Sequence, residues 1–360
     1  GFIAGWLYWY FWIVVVPIEA IAGAQILQQW IDLPMWQIGL GLMAVMTAVN
    51  LLSARSYGEF EFWFSSIKVA AIIAFILVAA AFAFGLTSPD GATFANLTDH
   101  GGFAPKGWVP VVATVTTVFF SLVGAEITTV AAAESKDPEK AVVRMATTIT
   151  WRILLFYVVS LGLIVCVVAW PMVKPGESPF TLALNVMGFK WGSAVMSFII
   201  LTAVLSCLNS AVYVCSRVLH VMADRGDAPR WLAEVNSQRV PARSILLGSL
   251  VGVIGVVIAI VSPNRVFAFL ISTTGTVILF VYLMTAVAHI RLRRRHPETE
   301  TKAVRVWLFP WLSYVTIGGM VAVLVAMAMT PELASPFYFS LLTLAVVVGS
   351  YYGFRKPRGR

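Results

Sequence analysis

Ten apolar segments, each close to the length needed to cross a lipid bilayer, constrain the fold of this chain more than any other feature of its sequence. A helix of about 20 apolar residues covers the hydrocarbon core of a membrane, which is roughly 30 Å thick. Charged residues, glycines or prolines separate the segments from one another. The predicted membrane spans are residues 5–28, 35–54, 62–86, 109–132, 148–170, 191–215, 244–262, 266–289, 307–329 and 336–354.

The composition supports the same fold class. Hydrophobic residues make up 59% of the 360 residues and charged residues only 12%, whereas a soluble domain has about half apolar and a quarter charged residues. A soluble core could not hide this much apolar surface, so lipid must be the solvent for much of the chain. We therefore predict an all-α polytopic membrane protein in which residues 1–360 form one transmembrane domain.

The basic residues predict how the spans are oriented. Cytoplasmic loops of membrane proteins are enriched in Lys and Arg. If the first span starts in the cytoplasm, only four of the 25 basic residues fall outside, namely Lys106, Lys174, Lys190 and Arg265. Both ends of the chain and the loops 134–146, 217–243 and 291–305 are then cytoplasmic. The net charge of +8 is explained by this topology, and we expect no nucleic-acid partner.

Three ionisable residues, Glu19, Lys68 and Glu126, lie within the predicted spans. A charge near the middle of a membrane helix costs at least about 2.5 kcal/mol, so such residues are candidates for function. Glu126 follows Gly124 and Ala125, a composition that favours an interrupted helix facing a cavity or buried in protein. The alternative is a continuous helix in which Glu126 hydrogen-bonds a neighbour.

Lys68 and Glu19 each allow two interpretations. Lys68 lies about six residues into its span, where a lysine can exchange protons or can reach the interface along its flexible stem. Glu19 follows Pro17 in the outer half of the first span. It either pairs with polar groups in the helix bundle, which makes it a structural buried charge, or approaches the outer interface.

Small polar residues form two further patches within the spans. One contains Ser206, Cys207, Asn209 and Ser210, and the other runs from Ser272 to Gly275. Such residues line substrate pathways in some membrane proteins, but they also hold helices together.

Several classes of protein lack support in the sequence. No glycine-rich loop ending in Lys-Ser or Lys-Thr is found, so nothing indicates an ATP-driven pump. The four histidines have no metal-ligand spacing, and no catalytic constellation can be assembled at membrane depth. We therefore predict neither an enzyme nor a cofactor or metal site. The class of protein that remains is a carrier, and a channel is the alternative.

Several motifs, in order along the chain, resemble bacterial γ-aminobutyrate permeases of the amino acid–polyamine–organocation superfamily. These are GWLYWYFW at 5–12, PIEA at 17–20, YGEFEFW at 57–63 followed by Lys68, GAEITTVAAAES at 124–135, SCLNSAVY at 206–213, and Ser216-Arg217 with RGDAP at 225–229. The resemblance covers essentially the whole chain.

The resemblance implies a LeuT-like bundle of five-plus-five inverted repeats. Family members have twelve spans, and this chain resembles spans three to twelve. The chain begins at Gly1 with no basic segment before its first span. We therefore expect it to be part of a longer protein, with spans one and two missing and the substrate contacts of span one absent.

The resemblance also implies site residues. Span six should break near Gly124-Ala125-Glu126, and Lys68 matches a lysine that many superfamily carriers use in proton coupling. The expected proton-coupling residues are Lys68 and Glu126. The expected substrate-binding residues are Ser121, Gly124, Ala125, Glu126, Ser206, Asn209, Ser272 and Thr274.

The expected function is proton-coupled import of an amino acid, γ-aminobutyrate or a related zwitterion, across the bacterial cytoplasmic (inner) membrane. The proton gradient would supply the energy, so no cofactor is needed. The partners would be the amino acid, protons and the lipid bilayer. The alternatives are a channel-like or receptor-type protein on a transporter scaffold, or a permease for a different amino acid, such as an aromatic or D-amino acid.

Overall fold

The structure is a computed structural model, and it describes residues 1–52, 54–124, 126, 138–174, 177–238, 240–295 and 308–354. Within these residues all regular structure is helical. The α-helices are α1 (Phe2–Leu27), α2 (Met35–Leu52), α3 (Ala54–Ala83), α4 (Trp108–Ala113), α5 (Val115–Leu122), α6 (Pro138–Ile153), α7 (Ser160–Val167), α8 (Pro179–Val186), α9 (Gly192–Asp224), α10 (Ala242–Ile258), α11 (Pro263–Arg295), α12 (Trp311–Met329) and α13 (Pro331–Phe354).

Nine of the ten predicted spans correspond to apolar helices in the described residues. Eight helical stretches in the described residues are long and apolar enough to cross a membrane, and the apolar helix Ala242–Ile258 is slightly shorter. One of the eight, Val143–Val167, joins α6 to α7 through a π-helical turn at Leu154–Val159. The prediction of an all-α polytopic membrane protein is therefore confirmed.

The predicted span 109–132 differs from the structure. Its described part consists of two short helices, α4 and α5, separated by a turn at Thr114. The Thr114 hydroxyl donates to the carbonyl of Val111 at 2.8 Å, and such side-chain bonds compete with regular helical hydrogen bonding. Residues 127–132 lie outside the described residues.

Two helix boundaries also differ from the prediction. Helix α3 begins at Ala54 rather than near residue 62, so it includes Glu61. Helix α11 continues to Arg295, so the first part of the predicted loop 291–305 is helical, and residues 296–307 lie outside the described residues.

The chain divides into two compact units, the first comprising residues 1–105 and 159–271. Helix α1 forms the centre of this unit and packs against α2, α9 and α10. Its residues from Phe11 to Ile18 are all buried, which is typical of a helix that is apolar on every side. Helix α10 approaches α1 closely at Gly255, where a Cβ atom would lie 2.8 Å from Cγ of Pro17. Helix α3 packs along α9 in the same unit.

The second unit comprises residues 106–158 and 272–360. Its best-buried segment runs from Thr273 to Val281 in α11. The Ser340 hydroxyl of α13 donates to the carbonyl of Thr273 at 3.2 Å, and the Thr276 hydroxyl donates to the carbonyl of Ser272 at 2.8 Å. The polar patch at 272–275 therefore contributes to helix packing in this unit.

Candidate functional site

Glu61 and Lys68 lie on the same face of α3 and form an ion pair. Because an α-helix has 3.6 residues per turn, residues seven apart are almost in line. The distance from Nζ of Lys68 to Oε1 of Glu61 is 3.8 Å, and the two side chains are 32% and 27% exposed, respectively. The pair combines two opposite charges within a helix long enough to span a membrane.

Ser206 of α9 connects the two charged groups. Its hydroxyl accepts a hydrogen bond from Nζ of Lys68 at 2.7 Å. It donates to the Glu61 carboxylate, with distances of 2.7 Å to Oε1 and 2.8 Å to Oε2. Ser206 is only 1% exposed, so the bridging hydroxyl is buried while its two charged partners are partly exposed.

The Glu61 carboxylate accepts two further hydroxyl hydrogen bonds. Ser65, one turn along α3, donates to Oε1 at 3.0 Å, and Ser210, one turn along α9, donates to Oε2 at 3.2 Å. The hydroxyl oxygen of Tyr57 lies 3.1 Å from Oγ of Ser210. Several donors thus stabilise the carboxylate inside the helix bundle, which offsets the cost of removing it from water.

An aromatic contact continues the interface between α3 and α9. The ring of Tyr57 stacks on that of Tyr213, with centroids 3.9 Å apart and an interplanar angle of 9°. The guanidinium of Arg217 lies 4.4 Å from the centroid of the Tyr213 ring, within the range of a cation–π contact. Ser206, Ser210, Tyr213 and Arg217 recur at helical spacing, so one stripe of α9 carries these polar and aromatic contacts.

Glu19 also lies in the first unit, on α1. Its carboxyl is hydrogen-bonded with the thiol of Cys207 and lies within electrostatic range of Lys68. Glu19 thus lies beside polar groups of the bundle, as the pairing interpretation expects.

Asn209 is fully buried between helices. It accepts a hydrogen bond from Nδ2 of Asn50 at 2.9 Å, which joins α2 to α9. Within the described part of the chain, Nδ2 of Asn209 has no hydrogen-bond partner. The predicted role of Asn209 in substrate binding remains a prediction, and its described contact is one between two helices.

In the second unit, α5 ends at Leu122 and Gly124 adopts a φ of +107°. Residues other than glycine rarely adopt this conformation. The Gly124 amide donates to Oε2 of Glu126 at 2.8 Å, and the Tyr282 hydroxyl of α11 donates to the same oxygen at 3.3 Å. The predicted break in helical hydrogen bonding before Glu126 is therefore present.

The other predicted residues of the second unit have different environments. Ser121 is exposed, and its carbonyl accepts a hydrogen bond from the hydroxyl of Tyr157 at 2.8 Å. Thr274 is fully buried in α11, and Ser272 lies near it on the same helix. Ala125 lies outside the described residues.

The predicted site residues thus form two groups. Lys68, Ser206, Asn209 and Glu19 belong to the first unit, and Ser121, Gly124, Glu126, Ser272 and Thr274 belong to the second. Among the described residues, no group of three or more His, Cys, Asp or Glu side chains is arranged to hold a metal ion.

Glu61 is not among the residues predicted from the sequence, because the predicted span begins after it. The available signal was the seven-residue interval between Glu61 and Lys68, together with Ser206 and Ser210 one turn apart on a second span. In a continuous helix this interval predicts a carboxylate and an ammonium on one face.

Comparison with known proteins identifies relatives along the whole chain. The family described as "Amino acid permease" matches residues 1–356. The γ-aminobutyric acid permease of Bacillus subtilis is 41% identical over 99% of this chain and 77% of its own length. A probable GABA permease of Pseudomonas aeruginosa is 40% identical over the same shares. The aromatic amino acid transport protein AroP of Escherichia coli K12 is 33% identical over 100% of this chain and 79% of its own length.

Proposed function

This chain belongs to the amino acid permease family, and we propose that it is a proton-coupled carrier that imports γ-aminobutyrate or a related amino acid. The observation that carries the proposal is the 41% identity to a γ-aminobutyric acid permease over 99% of the chain. The aromatic amino acid transport protein is less similar, at 33%. A carrier is therefore favoured over a channel, a receptor or an enzyme, and a small zwitterion over an aromatic amino acid.

The Glu61–Lys68 pair supports the coupling to protons. Ionisable side chains within membrane-spanning helices are costly, and they mark ion or proton pathways more often than packing sites. Lys68 has a carboxylate at 3.8 Å and a hydroxyl at 2.7 Å as partners. We assign proton coupling to Lys68 and Glu126, with the proton gradient as the energy source and no cofactor.

The end of α5 supports substrate recognition in the second unit. Backbone groups freed from helical hydrogen bonding can bind the charged ends of a substrate at membrane depth. The Gly124 amide is held by Glu126 at 2.8 Å, so a substrate that competes for either group would change the conformation of this segment. We assign substrate contacts here to Ser121, Gly124, Ala125 and Glu126 and, on α11, to Ser272 and Thr274. In the first unit we assign substrate contacts to Ser206 and Asn209.

Uptake competition tests the substrate assignment. The full-length protein in proteoliposomes should take up labelled γ-aminobutyrate when the lumen is more alkaline than the outside. An excess of unlabelled γ-aminobutyrate or a related ω-amino acid should suppress uptake more strongly than phenylalanine or tyrosine does. Stronger competition by the aromatic amino acids would contradict the assignment.

The chain is a multi-pass membrane protein, and we propose that it lies in the bacterial inner membrane with both ends of this segment in the cytoplasm. Exposed Ser237 then lies inside and exposed Asp90 outside. A membrane-impermeant thiol reagent should label Asp90→Cys in intact cells, but Ser237→Cys only after permeabilisation. Labelling of Ser237→Cys in intact cells would reverse the proposed orientation.

A further inference from the structure

The contact between Lys68 and Glu61 is indirect. Their charged atoms are 3.8 Å apart, beyond the usual range of a hydrogen bond, so a proton could not pass between them directly in this arrangement. Ser206 closes the gap with distances of 2.7 Å to Nζ and 2.7 Å to Oε1. A hydroxyl has one donor hydrogen and two acceptor lone pairs, so Ser206 can accept from Lys68 while it donates to Glu61.

From this geometry we infer that Ser206 relays a proton from Lys68 to Glu61, and that Glu61 is the group that releases it toward the cytoplasm. The inference rests on the proposed proton coupling and orientation. In the relay, one N–H bond of the Lys68 ammonium breaks and the proton forms a bond to Oγ of Ser206. The original O–H bond of Ser206 breaks as its proton moves to the Glu61 carboxylate. Lys68 becomes a neutral amine, Glu61 a neutral carboxylic acid, and Ser206 is unchanged.

The position of Glu61 fits an exit group. It precedes Lys68 by seven residues, which is about 10 Å along a helix axis, and α3 runs outward in the proposed orientation. Glu61 therefore lies on the cytoplasmic side of Lys68. After Glu61 releases its proton, the negative carboxylate and the neutral lysine are ready for the next proton from outside.

Other titratable or charged groups surround the relay. Glu19 of α1 lies within electrostatic range of Lys68, and the Cys207 thiol of α9 lies within range of Lys68, Glu19 and Glu61. Tyr57 lies within range of Glu61, Tyr213 and Arg217. These groups set the field around the relay, but Ser206 is the hydroxyl that bridges its two ends.

The test uses the full-length protein in proteoliposomes that contain a pH-sensitive dye. The measured quantity is the number of protons that enter per labelled γ-aminobutyrate. Glu61→Gln and Ser206→Ala should each abolish coupled proton entry, so that this ratio falls toward zero, because each variant removes a member of the relay. Ser206→Thr keeps the hydroxyl and should restore the ratio. Ser65→Ala and Ser210→Ala remove other donors to Glu61 and serve as matched controls that should keep the wild-type ratio.

The outcomes separate the relay from the proposed function. If the wild-type protein moves γ-aminobutyrate without protons, the proposed coupling fails, and the relay fails with it. If the wild-type protein couples protons to γ-aminobutyrate, and both Glu61→Gln and Ser206→Ala keep its ratio of protons to substrate, only the relay is wrong. The relay is also wrong if either control lowers the ratio as much as Ser206→Ala does. If Ser206→Ala does not fold, the relay is judged from the other two variants. Glu61→Gln should lower the ratio of protons to substrate, and Ser206→Thr should keep it.

Discussion

The two units accommodate a partly buried carboxylate in different ways. In the first unit, Glu61 lies within the continuous helix α3 and accepts hydrogen bonds from the hydroxyls of Ser65, Ser206 and Ser210. In the second unit, Glu126 follows the end of α5 and accepts from the backbone amide of Gly124 and the hydroxyl of Tyr282. Side chains therefore hold the first carboxylate, whereas a freed backbone group and one side chain hold the second.

This difference suggests a division of labour. A hydroxyl such as that of Ser206, held between two continuous helices, can pass a proton while the backbone stays in place. A carboxylate that closes the end of a helix cannot change its partner without changing the backbone beside it. The first arrangement is suited to proton transfer through side chains alone, and the second to coupling in which Glu126 changes its partner as the segment responds to substrate.

Lys68→Ala should have the largest effect. Removing the ammonium deletes the proton donor of the first unit, so accumulation of γ-aminobutyrate driven by a pH gradient should be lost. Direct binding of γ-aminobutyrate should change much less. Retained accumulation would show that Lys68 only extends to the membrane interface, and the division of labour would be lost.

Glu126→Gln should have the next largest effect and a different pattern. Glu126 is assigned to substrate contacts, and a hydrogen bond to a charged group is worth about 1 kcal/mol more than one to a neutral group, so loss of its charge should reduce both binding and uptake roughly fivefold to tenfold. Tyr282→Phe keeps the Glu126 carboxylate and its contact with Gly124. It should therefore reduce substrate binding and uptake by less than Glu126→Gln does. An effect of Glu126→Gln on uptake alone, measured beside binding by scintillation proximity, would contradict a role near the substrate.

Gly255→Ala tests how rigid the scaffold of the first unit is. The added methyl would overlap Pro17 of α1, and overpacking of this kind costs about 1–3 kcal/mol. The melting temperature in detergent should therefore fall. Gly41→Ala on α2 is a matched control, because an added Cβ there meets no atom within 4 Å. Equal melting temperatures for the two variants would show that α1 and α10 can separate at low cost.

The smallest expected effect concerns Asn209. A double-mutant cycle with Asn50→Ala and Asn209→Ala should give a coupling energy of about 0.6 kcal/mol, the average for hydrogen bonds between membrane helices. The cycle is measured by reversible unfolding in mixed detergent. A coupling energy of zero would contradict the packing contact between Asn50 and Asn209, and unchanged γ-aminobutyrate binding by Asn209→Ala would contradict the assignment of Asn209 to substrate.

The helical fold could be predicted because hydropathy determines where membrane spans lie. Eight spans were recovered as helices long enough to cross a membrane and a ninth as a slightly shorter apolar helix, and the break before Glu126 followed from a glycine near a charged residue. The interruption at Thr114 was missed, because a threonine within an apolar segment is common and its bond to the Val111 carbonyl has no distinct sequence signal.

The sites were predicted less completely, because they depend on contacts between helices far apart in sequence. Lys68 and Ser206 were both identified, but their hydrogen bond joins residues 138 positions apart and could not be read from either segment. Glu61 was assigned to a loop, since hydropathy places the start of a span at its first apolar residues, whereas α3 begins at Ala54. Asn209 was grouped with substrate residues, and its partner Asn50 was not anticipated.

The central claim, that the first unit couples substrate to protons through Lys68, is tested most directly by acidification of the lumen. Proteoliposomes containing the full-length protein and a trapped pH dye are given γ-aminobutyrate outside, with no initial pH gradient. The wild-type protein should acidify the lumen as substrate enters, and Lys68→Ala should admit substrate down its concentration gradient without acidification. Acidification by Lys68→Ala at the wild-type ratio of protons to substrate would contradict the account.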